Sequence, residues 1–295
     1  MKLLLSLFCC LLYVVPVAAA TITDSDGRVI VFDHPFTRIL SLYPAHTRNL
    51  LDMGLDREII AVGRSDHQLK GRPRVSFRDD PERLLALEPD LVLIRPMISR
   101  AYPQLVRRLE ASGVQVVSLQ PSSMDQLFPY WEDLGRLTGH EKEARAMIGR
   151  FGRELARVKQ LVDRIPPADR KHVYFESIHR RMKTFAPSSM AIFVLTSAGG
   201  INVATDARQV RNTNIANYGK ERILARANEI DVFLAQKGRM NPVTVEMIRN
   251  EPGFQVIKAV RDGQVFLVDE KLVSRPTLGL IKGIRTVFDI LYPQE

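Results

Sequence analysis

Cysteine is nearly absent: Cys9 and Cys10 are the only two in 295 residues, and both lie within the first ten positions. Lys2, the apolar run Leu3 to Val17 and the small residues Ala18-Ala19-Ala20 read as a secretory signal peptide over residues 1–20, cleaved after Ala20. Phe8 stands before Cys9 where a lipid-attachment cysteine wants a small residue. Export leaves residues 21–295 without a thiol, which excludes disulfides, a cysteine nucleophile and a Cys-ligated metal. No run of eighteen or more apolar residues follows the leader, so no membrane span is expected. G-x-S-x-G, P-loop and H-E-x-x-H patterns are missing, as are low-complexity tracts and short tandem repeats. Tryptophan occurs once, at Trp131.

What is present is ordinary globular composition, 45% hydrophobic and 25% charged, which excludes collagen, coiled-coil and wholly disordered chains. The net charge of +9 permits nucleic acid, an anionic membrane or an anionic small ligand, and export argues against the first. From Arg38 the chain alternates short apolar runs with amphipathic stretches. Strands are predicted at 38–42, 59–62, 91–94 and 115–119, and helices at 47–53, 81–87 and 99–111. A hairpin around Asp26-Gly27 precedes them over 21–32. Trp131 falls in a helix over 124–137, packed beneath a cleft or against the next helix.

That next helix is predicted as one continuous rod, because Met147, Phe151, Leu155, Val158 and Val162 form a single apolar stripe ended by Pro166-Pro167. A second alternating unit follows, with strands at 172–177, 231–235 and 264–269, and helices at 188–198, 218–227, 243–250 and 277–291. The fold class expected is α/β: two lobes, each a mainly parallel sheet flanked by helices, joined by one long helix. The divisions are an N-terminal lobe over 21–139, the joining helix over 140–163 and a C-terminal lobe over 164–295.

This layout and its local sequences resemble the class III substrate-binding proteins of ABC importers, which handle cobalamin, ferric siderophores, haem and some metal ions. The marks are Arg38-Ile39-Leu40-Ser41-Leu42-Tyr43-Pro44, Ile59-Ile60-Ala61-Val62-Gly63, and Leu84 to Val92 (LLALEPDLV). Gly199-Gly200, Glu221 to Ala225 (ERILA), Pro252-Gly253-Phe254 and Ala259 to Val265 (AVRDGQV) continue them through the chain. The resemblance implies a monomeric periplasmic receptor that catalyses nothing, holds no intrinsic cofactor and delivers a metal chelate to a transmembrane permease. It also implies that Glu82 and Glu221, one on each lobe's rim, pair with permease arginines; an acid in the first turn of a helix is the plain alternative. The family usually carries Glu after the residue matching Thr47, and this chain has Arg48 there.

Ligands of open α/β sheets bind beyond the carboxyl ends of the strands. The loops there offer Tyr43, His46, His67, Arg95 and Met97 from the first lobe. From the second they offer His179, Arg180, Arg181, Met182, Lys183 and Phe185, then Arg239, Met240 and Arg275. The arginines and Lys183 suit an anionic ligand, or else form a solvated charge run. His179 and His46 are candidate metal or axial ligands, or simple hydrogen-bonding residues, since no local spacing marks a metal site. Tyr43, Phe185 and the methionines suit the apolar walls of a chelate site, or the lobe cores. Arg211 and Asn212-Thr213-Asn214 cap the helix that follows or touch ligand. The expected function is capture of a ferric siderophore, haem or cobalamin. A molybdate-type oxyanion receptor, a signalling receptor and a chelatase-like enzyme stay open as alternatives.

Overall fold

Ile39–Ser41, the first strand of the first sheet, lies at the sheet's centre rather than its edge. In the computed structural model, which describes residues 19–210 and 213–293, the spatial order is Arg74–Val75, Ile59–Gly63, Ile39–Ser41, Leu91–Ile94, Gln115–Ser118. All its pairings are parallel. The chain therefore winds first to one side of the central strand and then to the other. That reversal opens a crevice between the ends of Ile39–Ser41 and Leu91–Ile94. Leu91–Ile94 is buried at all four positions, as helix cover on both faces of a parallel sheet requires. The expected hairpin forms from Ala20–Thr23 and Val29–Phe32, with Ile22, Ile30 and Phe32 inward and Val29 and Val31 outward. Most of the expected signal peptide, residues 1–18, lies outside the described residues, as do Arg211 and Asn212.

The joining helix runs Glu141–Val162, about 33 Å at 1.5 Å per residue. Its buried stripe is Ala144, Met147, Phe151, Val158 and Val162, with Leu155 half-buried beside it. One hydrophobic cluster runs from the first sheet through this stripe into Met190–Ser197 and Gly279–Leu291 of the second unit. Phe151 meets Trp131 edge-on at 5.6 Å on one side and Phe193 at 6.4 Å on the other. Trp131 thus packs against the joining helix. Close approach is possible because Gly135 has no side chain: a Cβ there would sit 2.8 Å from that of Ala144.

The second sheet departs from the mainly parallel expectation and is mixed. His172–Ile178, Val232–Lys237 and Val265–Asp269 pair in parallel. Beyond His172–Ile178 the sheet continues antiparallel through Lys183–Phe185, Ile215–Asn217 and Arg208–Gln209. Residues 177–187, read from sequence as a ligand loop, are instead a hairpin with a tight turn at His179–Arg181. The reason is long-range pairing: Lys183–Phe185 finds a partner thirty residues later.

Prolines moved two other elements. The helix predicted over 99–111 is two, Pro96–Ala101 and Pro103–Ala111, since Pro103 cannot donate and keeps Tyr102 out of the helical region (φ −134°, ψ 55°). The helix predicted from Thr47 begins at Pro44, whose fixed φ suits a first helical turn. His46 is therefore helical rather than on a loop.

Candidate functional site

At the crevice of the first sheet, Tyr43 follows Ile39–Ser41 and Arg95 follows Leu91–Ile94. The Arg95 guanidinium lies over the Tyr43 ring at 5.0 Å, a cation–π pair at the switch of winding direction. Burial pushes the Tyr43 phenol up, while Arg95 and, from the second unit, Arg275 pull it down, and Glu270 pushes it up. Tyr43 is thus within the electrostatic reach of both units. Arg275 leans on Glu270 at 3.7 Å.

His46 packs edge-on against Tyr43 at 5.1 Å and is fully buried. Its Nδ1 meets the Tyr130 hydroxyl at 2.7 Å and its Nε2 the Ile94 carbonyl at 2.9 Å. With both nitrogens engaged inside the lobe, His46 has no free lone pair for a metal, which corrects that expectation. Burial lowers its pKa to about 4, so it is neutral. Below it, Asn49 and Trp131 both donate to the carbonyl of Pro276 in the second unit, at 2.9 and 3.3 Å.

Facing this, the strand ends of the second sheet are tied by buried amides that sequence reasoning missed. Gln236 donates to Ser177 O at 2.9 Å and accepts from Ser274 Oγ at 2.7 Å. Asn241 donates to Gln236 O at 2.8 Å and accepts from the His179 N–H at 2.9 Å. Polar residues in sequence read as surface, and only their position beyond strand ends hinted at this role.

His179 is 5% exposed. Its Nδ1 sits 3.0 and 3.1 Å from the two Glu176 oxygens, and its Nε2 is 3.8 Å from Glu251, which holds Lys220 at 2.6 Å. Burial opposes the imidazolium, but Glu176 and Glu251 outweigh it and raise the His179 pKa. Burial raises Glu176, with His179 opposing. His179 is thereby committed to an internal ion-pair chain rather than presented to a ligand metal. Among the described residues no three His, Cys, Asp or Glu side chains lie close enough to hold a bare metal ion.

The remaining candidates scatter. Phe185 is a core residue stacked edge-on with Phe175 at 4.9 Å, and Met182 packs against the outer core of the second sheet at φ +47°. Both leave the proposed apolar wall because the hairpin turns them inward. Lys183 is half-buried in its strand, and Arg180 and Arg181 are exposed on the turn. Arg239, Met240 and Met97 are exposed, and His67 is exposed beside Arg74 at 2.9 Å. Glu82 is exposed and carries Arg108 at 2.5 Å, while Glu221 is exposed in the first turn of Lys220–Ala225. Arg48, where the resemblance led us to expect Glu, pairs with Asp52 on its own helix. Thr213 and Asn214 border the cavity rather than serving as caps, for Gly219 precedes that helix.

A cavity of about 810 Å³ reaches Pro96, the residue after Arg95. Its first wall includes Pro96, Tyr130, Asp133 and residues 119–123, 125 and 126 after Gln115–Ser118, and its second Ser188, Gln209, Thr213 and Asn214. It therefore lies between the two units, in the size range of small-molecule sites.

The profile of the periplasmic binding protein family matches residues 52–272. The chain belongs to this family. Among relatives of this binding protein, the ABC transporter substrate-binding lipoprotein YvrC of Bacillus subtilis is 24% identical over 279 residues, 92% of this chain and 85% of its own. A vitamin B12-binding protein of Vibrio campbellii is 22% identical over 258 residues, 86% of this chain and 88% of its own. Among solved structures, a possible iron-binding (periplasmic solute-binding) protein of Staphylococcus epidermidis superposes with a TM-score of 0.75 at 23% identity, covering 88% of this chain and 100% of its own. The two lobes of this binding protein and its joining helix are the fold shared with that structure.

Proposed function

We propose that the chain is the extracytoplasmic receptor of an ABC importer, capturing a metal chelate between its lobes and handing it to a membrane permease. The observation that carries the reading is the cavity of about 810 Å³, bounded by residues of both lobes. A stiff joining helix and a shared hydrophobic cluster favour limited lobe movement, so cargo is held by a nearly preformed cleft. The metal travels inside its own chelate, because His46 and His179 are both spoken for within the lobes. The vitamin B12-binding and iron-binding relatives support cargo of this class. Arg95 and Arg275 suit an anionic group on one end of it. The absorption spectrum of protein purified from its native compartment tests the reading. A Soret, corrinoid or ferric charge-transfer band supports it, and a chelate-free preparation that takes up no corrinoid, haem or ferric siderophore overturns it.

A further inference from the structure

We propose that the cavity receives an N–H-bearing group of the ligand, a primary amide or an ammonium, and that Asp133 is its acceptor and a specificity-determining residue. The inference rests on the reading that a chelate binds between the lobes.

The described residues of the cavity wall are largely polar and carry more acidic than basic groups. Among the described residues that line it, Asp24, Asp125 and Asp133 stand against one cation, Arg100. The Asp24 carboxylate is consumed internally, by the Arg28 guanidinium and by the N–H groups of Asp26 and Arg28. Asp125 is exposed at the rim. Asp133 differs from both: its side chain is 18% exposed, and its one hydrogen-bond donor among the described residues, Arg136, reaches a single oxygen at 3.4 Å. Burial, with Glu132 alongside and only Arg136 opposing, lifts its pKa to about 6. A weakly paired, half-buried carboxylate on a cavity wall favours a donor from the ligand and repels a carboxylate. On the opposite lobe the Gln209 amide donates to Thr213 O at 3.0 Å, which leaves its carbonyl oxygen as a second acceptor.

The test is calorimetric titration with three probes: cyanocobalamin, which carries primary amides; ferrioxamine B, which carries one ammonium; and haemin, whose outward polar groups are carboxylates. The expected result is that an N–H-bearing probe binds at least tenfold more tightly than haemin. Its affinity rises from pH 5 to pH 7 as Asp133 ionises; the charged groups around Asp133 are Arg136 and Glu132 on its own helix, with Arg100, Asp24 and Asp125 on the same cavity wall. Asp133→Leu weakens that probe at least tenfold more than it weakens haemin. Asp133→Asn separates the two sources, costing the ammonium heavily and the amide little. Should Asp133→Leu fail to fold, Gln209→Leu on the other lobe carries the same comparison. Tightest binding of haemin, with no effect at Asp133, overturns the donor inference and leaves the receptor reading standing. Binding of none of the three overturns both.

Discussion

Asn49 of the first lobe donates its side-chain amide to the carbonyl oxygen of Pro276 in the second, at 2.9 Å, across 227 residues of sequence. Trp131 donates its indole N–H to the same oxygen at 3.3 Å, and Asn49 also reaches the Tyr130 hydroxyl at 3.0 Å. The two lobes are thus latched by polar contacts beside the site as well as by the apolar stripe of the joining helix. Asn49→Leu removes one of the two donors to Pro276 and a partner of Tyr130. Denaturant unfolding is expected to show a loss of about 1–3 kcal/mol.

His46 sets a pH dependence. Its pKa falls from an unfolded value near 6.5 to about 4, so the unfolded chain binds more protons between those values. Stability from this group is present above pH 6.5 and is lost as pH falls towards 4, about 3 kcal/mol in all. His46→Gln keeps a donor for the Ile94 carbonyl and is expected to flatten that part of the stability profile.

Asp133 acts in the opposite direction. Its pKa is raised from 3.8 to about 6, so the folded chain binds more protons over that interval. Its stabilising contribution holds at acid pH and is lost as pH rises through 6. Asp133→Asn is therefore expected to raise the melting temperature at pH 7 and to leave it nearly unchanged at pH 4.

Glu82 and Glu221, the docking groups that the resemblance implies, differ in their surroundings. Arg108 already occupies Glu82, whereas no ion-pair partner meets Glu221 among the described residues. Glu82→Ala with Glu221→Ala is expected to leave ligand affinity intact and to abolish permease-dependent uptake. Arg108→Ala, which frees Glu82, should leave affinity intact and strengthen docking at low ionic strength. Uptake assays in vesicles and binding titrations measure the two halves separately.

Arg95 and Arg275 border Tyr43, while Arg180 and Arg181 lie exposed on a hairpin turn. For an anionic chelate, Arg95→Ala with Arg275→Ala should weaken binding at least tenfold. Arg180→Ala with Arg181→Ala should change it less than threefold, because exposed charges are screened by water and salt. Titration of both double variants against one ligand decides between the two clusters.

The joining helix and the strand-end placement of Tyr43 and Arg95 were legible in the chain itself. An apolar stripe repeating every three or four residues over more than twenty positions has one low-energy form. Four alternations of strand and helix likewise imply a parallel sheet with ligands at its carboxyl edge. His46 was misread because Pro44 nucleates a helix where a loop was expected, and that helix turns the imidazole into the lobe. Phe185 was misread because its strand is defined by pairing with Ile215–Asn217, which local sequence does not announce. Asp133 went unnoticed because a carboxylate in an amphipathic helix looks like a solvated one until folding buries most of it on a cavity wall.

By itself, then, the order of residues determined the periodicities: two α/β units, one rod between them, and which strand ends carry aromatic or cationic groups. Those are local properties, set by backbone sterics and by which side chains avoid water. The tertiary structure alone decided which polar groups satisfy each other in the interior and which remain for a ligand. Gln236, Asn241, His46 and His179 are consumed by partners far away in sequence, whereas Asp133 is left on a cavity wall. The physical reason is that a buried polar group is defined by its partner, and the partner is chosen only when the chain closes on itself.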